Sequence, residues 1–169
     1  NTSYQCVTEI ASATKRPDKF LGMHWFNPPQ IMRGVEVIRT AKASQEVVDA
    51  VFDFCKKLGK EPAACKDSPG FIANRLLQPW VNESMKMVDE GVASIPDIDT
   101  AFKVAYNFRM GPLEVRDFGG LEVSLKGTQE IFQELGTEIF RPARSHIMRV
   151  RAGDFGRKTG RGFYEYERK

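Results

Sequence analysis

The sequence is poor in the side chains that usually announce metal or redox chemistry: among 169 residues there are 2 histidines and 3 cysteines. Cys6, Cys55 and Cys65 are odd in number, with no close pair and no histidine nearby, which argues against a disulfide framework and against a zinc or other metal site. They are expected to behave as small buried apolar residues. No apolar run approaches the roughly 18 to 20 residues of a membrane span, and the first residues lack the basic-then-apolar order of a secretory signal. A cytoplasmic protein with no membrane contact is the resulting expectation. Internal repeats and low-complexity tracts are missing too, which removes solenoids and disordered linkers from consideration.

What is present is ordinary globular material, 41% hydrophobic and 28% charged. The net charge of +3 is too small to suggest a nucleic-acid partner, but it is unevenly spread. Residues 141 to 169 hold nine Lys/Arg against three acids, a local +6 that leaves −3 for the remainder. Such a basic end suits an anionic ligand such as a phosphate-bearing cofactor, and it equally suits a plain solvated face.

Two textures follow one another along the chain. Up to Asp67, strands and helices alternate: "VTEIASA" reads as a short helix, "FLGMHWF", "VEVIRT" and "EPAACKD" as strands. Ser44 to Leu58 reads as a helix with Val47, Val48, Val51, Cys55 and Leu58 on one face, Ser44 as its N-cap and Gly59 as its stop. Beyond Asp67 the pattern is helical. Ser68-Pro69 supplies an N-cap and a first-turn proline for a long helix from Phe71 to Val88, which Pro79 is expected to kink. Gly91 ends that helix, Ser94 with Asp97 starts the next, and Gly111-Pro112 marks a further break. Helical stretches around Val115 to Leu135 and Ala143 to Arg151 lead to "GRKTGRGFYEYE", a glycine-studded loop running into a short extended segment. The fold class is therefore α/β plus all-α, with domains expected at 1–67 and 68–169.

The stretch "GMHWFNPP" places one of the two histidines at the end of an apolar strand, before an aromatic pair and an Asn-Pro-Pro turn. Imidazole titrates near neutrality, so His24 is a candidate general base toward an alcohol. Glu36 lies twelve residues on, where strands folded back over the turn bring the two side chains together, and a carboxylate there fixes the tautomer of the ring. Spacing alone favours a satisfied structural histidine and a surface acid. Asn74, on the first turns of the long helix, either faces solvent or reaches across to another domain, and Arg75 beside it is an acid or phosphate partner or is simply exposed. Ser3 means nothing by itself. Lys158 and Thr159, between Gly156 and Gly160, approach a phosphate or form a plain loop.

Five stretches together, "NTSYQCVTEIA", "GMHWFNPPQIMRGVEVI", "CKDSPGFIANRLLQPWVNE", "RMGPLEVRDFGGL" and "GRKTGRGFYEYE", resemble the 3-hydroxyacyl-CoA dehydrogenase family in content, order and spacing. The resemblance runs over essentially the whole chain. It implies the tail of a Rossmann-type dinucleotide-binding domain followed by a helical dimerisation and substrate domain. By the same resemblance His24 matches the catalytic base that takes the proton of the substrate 3-hydroxyl as hydride passes to nicotinamide, and Glu36 matches its orienting partner. Ser3 and Asn74 match residues that hold the substrate oxygen, and Asn27 and Lys158 match positions against the NAD cofactor. The implied reaction is oxidation of L-3-hydroxyacyl-CoA to 3-oxoacyl-CoA, as in fatty-acid β-oxidation or butanoate metabolism. Acyl-CoA in the cleft between the domains, a homodimer made through the helical domain, and fusion to or pairing with an enoyl-CoA hydratase belong to the same implication.

One departure matters. The sequence contains no G-x-G-x-x-G turn after a first strand, so the pyrophosphate cradle of the family, and with it most of the NAD site, is absent from these residues. A fragment that is inactive or poorly active alone is the expectation. Two other readings stay open: a non-catalytic helical module for dimerisation or acyl-CoA binding, and a related β-hydroxy acid dehydrogenase. Trp80 is also bulkier than the resemblance leads one to expect.

Overall fold

Alternation of apolar residues sets up a small sheet. In the computed structural model, which describes residues 1–167, β1 (Leu21–Trp25), β2 (Gly34–Arg39) and β3 (Glu61–Lys66) pair in the order β1-β2-β3. Arg168 and Lys169, two of the nine basic residues of the C-terminal stretch, lie outside the described residues. β1 runs antiparallel to β2 and β3 runs parallel to it. Because side chains alternate across a strand, the two faces differ. Val35 and Val37 of β2 join Cys55 on the face covered by α2 (Gln45–Lys57), while Ile38 packs with Val7 of α1 (Val7–Ser12) and with Phe71 on the other.

The Ser44 hydroxyl accepts the Val47 N–H, and Gly59 follows the helix with φ +71, so both predicted ends of α2 are observed. The expected inward face is not complete, because Leu58 is 50% exposed. It is the C-cap residue, past the last inward turn, and Phe52 packs against the cluster along with Val51. Burial of all three cysteines fails at Cys6, which is exposed and donates from Sγ to an Asp67 carboxylate oxygen at 3.4 Å.

The chain divides into two compact units, Asn1–Arg75 and Leu76–Lys169. The compact units part eight residues beyond Asp67, and the residues in between are held to the sheet. Ile72 and Ala73 donate their N–H groups to Glu36 of β2, which ties residues up to Arg75 to the sheet. The long helix α3 (Ala73–Glu90) also starts later than the Ser68-Pro69 signal predicts. Gly70 and Phe71 take left-handed φ of +72 and +50, which interrupts right-handed winding just before Ala73. The Ser68 hydroxyl, freed from capping, accepts from Arg75 at 3.0 Å. α3 runs on through Pro79 as one element.

Among the described residues the second unit is helix and loop, with isolated bridges pairing Gly156 with Arg161 and Arg161 with Glu165. α4 (Ile95–Tyr106) is capped by Ser94, whose hydroxyl accepts the Asp97 N–H, and α5 (Pro112–Gly119) opens on proline. The single stretch expected over Val115 to Leu135 is broken at Gly120, φ +89, into α5 and α6 (Leu121–Leu135). α7 (Arg144–Ala152) follows. Val81, Met85, Ile98, Leu113, Leu121, Ala143 and Phe163 form the core of this unit. Buried carboxylates stitch it together. Asp117 accepts from Phe163 N–H, Tyr164 N–H and the Tyr166 hydroxyl, and Asp99 accepts from Leu113 N–H, Glu114 N–H and the Tyr164 hydroxyl. Among the described residues no helix is long and apolar enough to cross a membrane.

Candidate active site

Antiparallel pairing of β1 and β2 puts His24 directly opposite Glu36, so both side chains leave the same face of the sheet. The two are buried, 4% and 3% exposed, and His24 Nδ1 meets a Glu36 carboxylate oxygen at 2.5 Å. The other oxygen of Glu36 accepts the N–H groups of Ile72 and Ala73, each at 2.9 Å. Burial pushes the Glu36 carboxyl upward, but the His24 contact and the Ala73 and Ile72 N–H groups outweigh it and hold the group below the usual glutamate value. An ionised carboxylate only accepts, so Nδ1 of His24 carries the hydrogen. That leaves Nε2 as the acceptor of the neutral ring. The Ser3 hydroxyl lies 3.1 Å from Nε2 and donates to it.

Ser3 is held in turn. Asn74, in the first turn of α3, donates from its amide to the Ser3 carbonyl at 3.3 Å, and the Trp25 N–H donates to the Asn1 side chain at 3.0 Å, fixing the first residues along β1. Two aromatic rings flank the imidazole: Phe26 with centroids 5.0 Å apart and Phe71 at 5.5 Å. The result is a linear chain of contacts, Ser3–His24–Glu36–α3, with the basic nitrogen at its Ser3 end.

Of the six residues singled out by sequence, the structure brings Ser3, His24, Glu36 and Asn74 together within the first unit. Asn27 sits in the turn after β1 with its side chain exposed, ahead of a loop pinned by Lys60, whose ammonium donates to the Pro29 and Met32 carbonyls at 2.7 and 2.8 Å. Lys158 lies in the second unit. Its ammonium binds the Glu122 carboxylate and stands 5.2 Å from the Phe155 ring centroid. The glycines around it serve packing: a Cβ on Gly156 or Gly162 would run into Asp117. Arg157 is drawn to the Phe118 and Tyr166 rings and Arg161 to Asp154, so much of the basic C-terminal stretch already has partners. Sequence reasoning missed Phe26, Phe71 and the Ile72–Ala73 amides. The dipeptide Gly70-Phe71 was the available signal, since a glycine just ahead of a helix marks a turn whose amides point elsewhere.

The family model described as "3-hydroxyacyl-CoA dehydrogenase, NAD binding domain" matches residues 1–68, and that described as "3-hydroxyacyl-CoA dehydrogenase, C-terminal domain" matches residues 70–166. The chain belongs to the 3-hydroxyacyl-CoA dehydrogenase family. It is 45% identical over 170 residues to the mitochondrial hydroxyacyl-coenzyme A dehydrogenase of Mus musculus, covering 99% of this chain and 54% of that protein. It is 44% identical to the 3-hydroxybutyryl-CoA dehydrogenase of Clostridioides difficile, over 99% of this chain and 60% of the relative. Among solved structures it is similar to (S)-3-hydroxybutyryl-CoA dehydrogenase PaaH1 from Ralstonia eutropha, with a TM-score of 0.97 and 42% identity over 99% of this chain and 59% of that one. The chain thus spans between 54% and 60% of the length of these dehydrogenases.

Proposed function

We propose that residues 1–75 carry the acid–base centre of an NAD-dependent 3-hydroxyacyl-CoA dehydrogenase. The observation that carries this reading is the 2.5 Å contact between His24 Nδ1 and Glu36, with Nε2 left as a basic nitrogen facing Ser3. Removing two hydrogens from a secondary alcohol means taking a proton from oxygen and a hydride from carbon. His24 Nε2 takes the hydroxyl proton as the carbonyl forms. The positive charge that develops on the ring is stabilised by Glu36 through Nδ1–H, in the manner of a histidine–carboxylate pair. The Ser3 hydroxyl, now the donor to Nε2, turns toward the substrate oxygen when the substrate takes its place. Asn74 keeps the Ser3 backbone in position and presents its amide beside it.

The residues fit the nicotinamide end of a cofactor, because the exposed Asn27 amide follows His24 by three positions at the end of β1. When bound, NAD accepts the hydride. Lys158, the other match to the cofactor by resemblance, is engaged by Glu122 within the second unit, so any role toward NAD requires that ion pair to open. The glycine-rich pyrophosphate turn is not among residues 1–169, so the chain alone is expected to bind NADH weakly and turn over slowly. Reduction of acetoacetyl-CoA, followed by loss of NADH absorbance, tests this. Fast turnover by the chain alone refutes the incomplete cofactor site, and turnover that survives His24→Gln refutes the assignment of the base.

The acyl-CoA reading is accompanied by a dimer through the second unit. The support is an exposed aromatic cluster: Trp80, Tyr106 and Phe108 are 52, 67 and 46% exposed, and their rings meet Phe102 or each other at 5.0 to 5.9 Å. Leu76, 67% exposed, is one helical turn from Trp80. The bulk of Trp80 is thus spent on this surface. A Trp80→Glu variant is expected to elute as a monomer where the parent elutes as a dimer, and a monomeric parent removes the proposal.

A further inference from the structure

The turn into α3 holds a backbone conformation that its sequence resists. Gly70 takes φ +72 without steric cost, but Phe71 takes φ +50, a region bulky residues rarely enter. The turn is closed by Phe71 N–H donating to the Ser68 carbonyl at 2.9 Å and Arg75 N–H donating to the Gly70 carbonyl at 3.1 Å. With a right-handed Phe71 the helix would begin earlier, and the Ile72 and Ala73 N–H groups would be taken up by carbonyls of its own first turn. Instead both converge on one oxygen of Glu36. The Phe71 side chain is 4% exposed, and its ring lies 5.5 Å from the His24 ring. One residue therefore bears on both members of the pair.

We propose that Phe71 is a positioning residue of the His24–Glu36 pair: its left-handed backbone aims two amides at one carboxylate oxygen, and its ring holds the imidazole. This deepens, and rests on, the dehydrogenase reading of the site. The terminal torsion of a glutamate is broad and two-fold, so a carboxylate bound only to His24 rotates and exchanges its oxygens. Two amides on Oε1 remove that freedom and keep Oε2 on Nδ1. The other titratable group near Glu36 is the Cys65 thiol on β3, which burial, reinforced by the charges of Glu36 and Asp67, pushes up to about 11, so it stays neutral through the test below.

The test compares Phe71→Gly, which suits the left-handed turn and removes the ring, with Phe71→Val, which suits neither. The Glu36 carboxyl and the Ile72 and Ala73 amides are followed by NMR against pH, and turnover is read with acetoacetyl-CoA and NADH. In F71G the two amides keep tracking the Glu36 titration while the His24 ring resonances move. In F71V the Glu36 titration rises toward that of an ordinary glutamate, the amides lose their response, and kcat falls about 10- to 100-fold with KM for the thioester within about twofold. A folded F71V with Glu36 and both amides unchanged overturns the proposal. Should F71V not fold, the parent protein decides: Ile72 and Ala73 amides that ignore Glu36 ionisation overturn it as well. If the NMR results are as expected while no form reduces a 3-oxoacyl-CoA, the dehydrogenase reading falls and the positioning role stands.

Discussion

Each unit buries one histidine, and the two are treated in opposite ways. His24 faces a carboxylate at 2.5 Å that is itself held by two backbone amides. His146, fully buried on α7, has Nε2 near the Leu121 carbonyl at 2.9 Å and the Ser124 hydroxyl at 3.3 Å. Burial first, then the nearby charges of Arg116 and Arg149, depress it to about 3 despite the carbonyl contact, so it stays neutral. The same side chain meets a carboxylate in the first unit and the charges of two arginines in the second. Buried acids repeat the lesson. Glu36, Asp99 and Asp117 each accept two consecutive backbone N–H groups, but Glu36 alone of the three adds an imidazole. The stitch is a structural habit of this chain, and in the first unit one instance also holds a histidine.

The largest way to break that contrast is to remove each imidazole. His24→Gln is expected to lower the rate of acetoacetyl-CoA reduction by about 10²- to 10⁴-fold, while His146→Gln leaves it within about twofold per folded molecule. The acids come next. In Glu36→Gln the amide still accepts from Ile72 and Ala73 but offers a donor to Nδ1, which favours the wrong tautomer, so turnover drops by about 10²-fold with the fold kept. Asp117→Asn does the reverse, costing about 1–3 kcal/mol in a urea melt because a donor now faces a donor, with turnover per folded molecule unchanged.

Acid separates the two histidines further. A depressed histidine contributes stability above its unfolded value of 6.5, and that contribution is lost as pH falls below it, ending at about 3. Unfolding free energies from urea titrations are expected to fall by about 1.4 kcal/mol per pH unit through this window, a slope that H146Q removes. Glu36, held below its ordinary 4.5, gives stability that is fully present above that pH and is lost as pH falls from there through its lower folded value, so E36Q alters the slope at the acid end alone. The smallest effects sharpen the contrast by being equal. Ser44→Ala and Ser94→Ala each remove one helix cap, one per unit, and each is expected to cost about 1 kcal/mol by thermal melt.

Much of this was legible in residue order. Period-two and period-3.6 patterns located β1, β2 and α2, the Ser94/Asp97 signal located the start of α4, and Gly111-Pro112 marked the break after it, because those choices are made by neighbours along the chain. His24 and Glu36 stand opposite each other in the antiparallel register, as strands folded back over the Asn27-Pro28-Pro29 turn allow, although spacing alone favours a structural histidine and a surface acid. The start of α3 was misread because its amides are satisfied by Glu36, 36 and 37 residues away, and no local cap records that. By sequence the Lys158–Thr159 turn suits a phosphate or a plain loop; in the structure Gly156 and Gly162 leave room for Asp117, a partner 46 to 49 residues upstream of the groups that bind it, and distance along the chain hides that as well.

That last attachment sets an order of events during synthesis. Asp117 leaves the ribosome long before Phe163, Tyr164 and Tyr166 exist to donate to it. Until residue 166 emerges, α5 carries an unanswered buried charge, so the helical unit closes last while the sheet with its imidazole can already be formed. A nascent chain stalled shortly before residue 163 should therefore yield to protease in its second half and resist in its first.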